Sequence, residues 1–279
     1  MPDNENMPET LTANIARSAS HSLIKAAEAA VTDGVIIPAD REIVFGPLYS
    51  WWRLVCRTSE LVLLAEERGF TSETGPLVRN VFNHTYAMQW LVDNGELAVY
   101  ALLEVGDEVA EKLCKKMEDT GWVNAAKYRA LRDEAGKAPR SDYSEAERAQ
   151  IDRFKHELGN VHDLLDGYGS ADLYPVYSHL SSLSHTSDLT AKLYLEWPVG
   201  TTTPQIRLRA PESGDAFVIH TALALLQTAS IVSPLIEGDP MQKAIGQAAA
   251  DLGLEGAQLL PERVVKAVKT NSRRGRRKR

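Results

Sequence analysis

Apolar residues recur at three- and four-residue steps through most of this 279-residue chain, the period of helices with one face in a core. From Thr12 to Asp33 an alanine-rich run carries Ile15, Ile24 and Ala27 and stops at Gly34. Ile36 to Val44 reads as a loop, and Gly46-Pro47 is expected to open a second helix that runs to Gly69. Leu48, Trp51, Trp52, Val55, Ser59, Val62 and Leu63 form its buried stripe, and Arg57 lies in reach of Glu60. A third helix begins at Gly75-Pro76 and ends at Asn94-Gly95, with proline at the start and glycine at the end as helix termini favour.

Further helices are expected over Glu96 to Asp119, Thr120 to Ala135, Ser144 to Gly159 and Val161 to Gly169, with 137–142 as a linker. Ser144 and Glu147 make a capping box, and Ser170 or Asp172 should cap a helix that continues to Asp188. Only Lys192 to Trp197 and Gln205 to Arg209 alternate with the two-residue period of strands, which predicts a small β-hairpin. Ser213 then caps a long uncharged helix that stops near Pro234, and Met241 to Leu254 and Pro261 to Lys269 close the series.

The expected fold class is therefore all-α, a multi-helix bundle in a single domain over 12–269, with the hairpin near 192–209. Residues 1–11 and the basic end 270–279 read as disordered. At 44% hydrophobic content the chain can bury one large core.

Charge changes this picture at one end. Of 31 bases, six (Arg273, Arg274, Arg276, Arg277, Lys278 and Arg279) fall in the last eight residues, leaving 25 against 38 acids elsewhere. The body is acidic, and the end can attract phosphates or an acidic partner. Cys56 and Cys114 have neither CxxC spacing nor a disulfide framework, which fits a reducing cytoplasm. The acidic, polar start is unlike a secretory signal. Ala216 to Ile236 is long enough to span a bilayer, but it includes His220, Thr221, Gln227 and Pro234 and reads as a buried core helix, so no membrane partner is expected.

Motifs for P-loop nucleotide hydrolysis, dinucleotide binding, zinc proteolysis, hydrolase-elbow chemistry and di-iron bundles are absent. What remains is polar residues set into two apolar helices: Arg79, Asn80 and His84 in the third, and Tyr177, Ser181 and His185 in the helix expected after Asp172. The two helices are expected to share one interior site. Steps of four, four and three would put Tyr177, Ser181, His185 and Asp188 on one face, with Asp188 able to orient the His185 ring. The same four residues also suit an internal hydrogen-bond network that fixes helix packing.

Arg79-Asn80-Val81-Phe82-Asn83-His84 resembles the motif of the HEPN superfamily, helical-bundle proteins named for higher eukaryotes and prokaryotes nucleotide-binding. Ribonuclease members of that family carry Arg, a polar residue, three variable positions and His, usually paired across a dimer. The resemblance implies that Arg79 neutralises the scissile phosphate, His84 transfers a proton to or from the RNA 2′-hydroxyl, and Asn80 orients one of them. It implies no metal or cofactor, with RNA, a second copy or an antitoxin-like protein as partners. The chemistry is coherent, because an imidazole titrating at about 6.5 and a fixed cation are what 2′-oxygen transesterification needs. Arg79 and His84 are, however, about 140° apart around a helix, so Arg79 must curl or a partner must complete the site. The Tyr-x3-Ser-x3-His pattern in turn resembles bacterial helical families with no assigned activity. Three readings stay open: a metal-independent endoribonuclease of toxin or defence type, a non-catalytic binding or sensing bundle, and a metal-dependent enzyme using His84 and His185.

Overall fold

The computed structural model describes residues 12–135, 143–168, 173–211 and 215–254. Among them are eleven α-helices and one two-stranded hairpin. The helices are α1 (Ala13–Thr32), α2 (Glu42–Glu66), α3 (Gly75–Asn94), α4 (Glu96–Asp119), α5 (Ala125–Ala135), α6 (Glu145–Gly159), α7 (Val161–Tyr168), α8 (Leu173–Ser184), α9 (Asp188–Lys192), α10 (Ala216–Val232) and α11 (Gln242–Asp251). The strands are β1 (Leu195–Glu196) and β2 (Gln205–Ile206), antiparallel with Leu195 opposite Ile206. The expected bundle and hairpin are present. The expected tail, the first eleven residues, the 137–142 linker, the caps at Ser170, Asp172 and Ser213, and the 261–269 helix lie outside the described residues.

The architecture centres on α10. It packs against α1, α2, α3 and α11, so Phe217, Val218, Ala222, Leu225, Leu226 and Val232 are buried on several of its sides. By length and composition Ala216–Leu235 could cross a membrane, but most of it is buried inside the protein as the core helix. Thr85 of α3 and Thr228 of α10 bond at 3.0 Å across this interior, each hydroxyl answering the other's buried polarity.

Two layers flank the core. On one side α7 and α8 lie against α3; on another α4 and α6 pair lengthwise, with α5 folded onto α4. Trp90 anchors α3 to α6: its ring meets Phe154 edge-on at 5.9 Å, and its indole N–H donates to Glu157 at 3.1 Å. Gly95 makes the α3–α4 corner at φ 64°, a conformation open to glycine without a Cβ clash.

Some boundaries differ from expectation. α2 starts at Glu42, so Pro47 lies inside the helix and forfeits the bond its N–H would make to Ile43. Ile43 is exposed, while Phe45 and Leu48 are buried on either side of Pro47. α5 begins at Ala125, after a turn through Gly121 at φ 66°. The residue before α10 is Asp215, which makes no cap bond there; its carboxylate instead accepts the Ala13 N–H at 3.3 Å, a charge set against the positive end of α1. Both cysteines are free and buried, and burial pushes the Cys56 thiol up to about 12.

Candidate functional site

Three helices frame the site, with α3 in the middle. Gly75 at its start lets α8 approach so closely that an added Cβ would stand 2.6 Å from Leu183 Cδ1. One turn later, Arg79 points the same way. Its Nε donates to the Tyr177 hydroxyl at 3.1 Å, and its guanidinium carbon sits 5.3 Å from the Tyr177 ring centre. The two polar helices therefore do meet, through Arg79 and Tyr177. Among the described residues no carboxylate pairs with Arg79, and none accepts from its remaining N–H groups.

His84 faces a different neighbour. Its ring meets Trp51 of α2 edge-on at 6.1 Å, and its Nδ1 lies 2.8 Å from the Asn80 carbonyl. A carbonyl only accepts, so Nδ1 carries the proton, and in the neutral ring Nε2 keeps the lone pair. Arg79 thus leans on α8 and His84 on α2, as about 140° of helical rotation requires. Asn80 and Asn83 fill the arc between them, and all four side chains are half-buried. The Oδ1 of Asn83 is buried, without a hydrogen-bond partner among the described residues.

The expectation for the second stretch needs correcting. Tyr177, Ser181, His185 and Asp188 do not share a helix face, because α8 ends at Ser184. Ser182 and Ser184 turn their hydroxyls back to the carbonyls of Ser178 and Leu180, a competition with backbone bonding that weakens a helix end. Ser187 and Thr190 then form a capping box that starts α9. Tyr177 is buried against Arg79, and Ser181 is half-buried one turn beyond it. His185 is exposed, and Asp188 pairs with Lys192 at 2.6 Å instead of orienting the His185 ring. With His84 turned toward α2, the proposed His84 and His185 pair is not assembled. Among the described residues no group of three or more His, Cys, Asp or Glu could hold a metal.

The sequence did not mark Asn83 or Trp51 as site residues; it put Trp51 in the buried stripe of the second helix, and the structure leaves it half-buried. Asn83 had a legible signal: it stands four residues after Arg79 and so on the same side of α3. Trp51 had none, since only the packing of α2 on α3 brings it to His84.

A family model matches residues 45–198, a little over half of the chain, under the description "Family of unknown function (DUF5677)". The chain belongs to this family. The DUF5677 region runs from early α2 past β1, so Arg79, Asn80, His84, Tyr177 and Ser181 all lie inside it, while α1, α10 and α11 complete the core from outside. Neither the curated proteins nor the solved structures contain a match.

Proposed function

We propose that this DUF5677 protein is a metal-independent, HEPN-type endoribonuclease of toxin or defence character, acting in the cytoplasm with the Arg79–His84 segment as its catalytic element. The observation that carries the reading is the state of Arg79. A buried or half-buried arginine kept only for stability normally meets a carboxylate, because an uncompensated charge out of water is costly. Here the guanidinium is held by a neutral hydroxyl and an aromatic face, so its charge stays available to an anion.

In this reading Arg79 receives the phosphate and offsets charge that grows at the pentacovalent stage. His84, with Nδ1 held by the Asn80 carbonyl, presents Nε2 for the 2′-hydroxyl proton; the 2′-oxygen bonds to phosphorus as the bond to the 5′-oxygen breaks, and that oxygen leaves as a hydroxyl with a proton from water, giving a 2′,3′-cyclic phosphate. Asn80 is the orienting residue, though through its backbone carbonyl. Because Arg79 and His84 face opposite flanks of α3, a second copy supplies the missing half of each site. The six cations at the C-terminal end add attraction for the RNA backbone that does not depend on sequence.

The test is incubation of purified protein with structured and unstructured RNA in excess chelator. Cleavage that disappears in Arg79→Ala and in His84→Ala is expected; RNA left intact at micromolar protein removes the reading. A non-catalytic binding bundle is the second reading, favoured by the internal bonds that Arg79 and His84 already make. It predicts that the same two substitutions lower the melting temperature and leave no activity to lose.

A further inference from the structure

We infer that Asn83 is the residue through which this site tells ribose from deoxyribose, an inference that rests on the ribonuclease reading. Taking Arg79 as the origin on the wheel of α3, Asn83 lies at about 40°, Asn80 at about 100° and His84 at about 140°. Gly75 and Arg79 fix the α8 side of this arc through Leu183 and Tyr177, and Trp51 fixes the α2 side at His84. Asn83 therefore sits next to the phosphate-binding guanidinium of its own chain.

Its Oδ1 is a buried acceptor with no donor among the described residues. Such an atom weakens the fold, and replacing it by an apolar group can be neutral or stabilising. Asn83 Oδ1 calls for a donor from outside. Asn83 is half-buried and the terminal torsion of asparagine is broad, so a half-turn exchanges Oδ1 with Nδ2 and brings the acceptor outward without breaking a bond of Oδ1.

The chemistry of the substrate then narrows the donor. Along a nucleic-acid backbone the phosphates and the ring oxygens only accept, and the 2′-hydroxyl of ribose is the one group that can donate. DNA has no such group on its backbone. A backbone held at Arg79 offers Asn83 Oδ1 a hydrogen bond if it is RNA and nothing if it is DNA. A 2′-hydroxyl has one proton and the attacking one gives it to His84, so the hydroxyl that Asn83 binds belongs to a neighbouring nucleotide, and Asn83 acts in binding alone.

The experiment measures fluorescence anisotropy of one labelled single-stranded RNA and its 2′-O-methyl and 2′-deoxy counterparts, in chelator. The His84→Ala protein is used so that the RNA stays whole. One neutral hydrogen bond corresponds to a preference for RNA of about five- to tenfold over both analogues. Adding Asn83→Ala should bring that ratio to about one while leaving DNA affinity unchanged, with no fall in melting temperature. Asn83→Leu, closer in volume, should do the same and covers the case in which alanine loosens the helix. An RNA preference that survives both substitutions overturns the inference, as does an equal loss for all three oligonucleotides. If the folded His84→Ala protein binds none of the three and the wild type cuts no RNA, the ribonuclease reading falls and this inference falls with it.

Discussion

The Nε of Arg79 donates to the Tyr177 hydroxyl at 3.1 Å while the guanidinium lies 5.3 Å from the same ring, so one tyrosine fixes an arginine without neutralising it. Tyr177→Phe keeps the ring and removes the acceptor. It should cost about 1 kcal/mol of stability or less and, on the proposed ribonuclease reading, lower the rate of RNA cleavage by about tenfold, because the Arg79 fork loses its fixed direction. Denaturant unfolding and single-turnover cleavage measure the two effects. An unchanged rate would mean that Tyr177 does not position Arg79 for chemistry.

The Asn80 carbonyl decides the tautomer of His84. Nitrogen chemical shifts of the neutral ring should report a protonated Nδ1 and a bare Nε2. The opposite tautomer would place the lone pair against a carbonyl and remove Nε2 as the base.

The proposal that two copies share each active site is open to a mixing experiment. Arg79→Ala and His84→Ala proteins should each be inactive alone. Mixed after dissociation and reassociation, they should recover roughly a quarter to a half of wild-type cleavage if each active site draws Arg79 and His84 from different copies. No recovery from a mixture that forms heterodimers would place both residues of a site on one chain.

Gly75 sets how close α8 lies. A Cβ there would meet Leu183 at 2.6 Å, so Gly75→Val must push α8 away from α3 and separate Arg79 from Tyr177. A loss of about 1–3 kcal/mol in stability is expected, together with a loss of cleavage. Pairing Gly75→Ala with Leu183→Ala should restore part of both. Full wild-type stability in Gly75→Val would show that α8 is not seated as described.

Acid should weaken the fold through His220. Its ring meets Phe82 edge-on at 5.8 Å, its Nδ1 is sealed without a partner among the described residues, and burial pushes its pKa below the ordinary histidine value. The fold therefore favours the neutral ring. That contribution is fully present above about pH 6.5 and is lost as pH falls through the lowered folded value. Burial raises Glu66, an effect of opposite sign: the stability it brings is present below the carboxylate's unfolded value and is lost as pH rises through the raised one. The difference between wild type and His220→Phe cancels the Glu66 contribution. Urea unfolding from pH 7.5 to pH 5 should show a steeper acid loss in wild type, and parallel curves would count against His220 as the cause.

The sequence by itself determined the helices, because apolar spacing, a proline at the start of α3, a glycine at its end and the Ser144–Glu147 box are local signals that each act within a turn or two. It also marked Arg79, His84 and Tyr177 as polar residues in apolar helices. It could not show that α8 stops at Ser184, since serine hydroxyls and a new cap outweigh a periodicity that continues to Asp188. Nor could it pair Arg79 with Tyr177, turn His84 toward Trp51 or leave Asn83 Oδ1 without a donor. Those outcomes depend on which helices lie against α3 and how near they come, and that is settled by packing between residues distant in the chain.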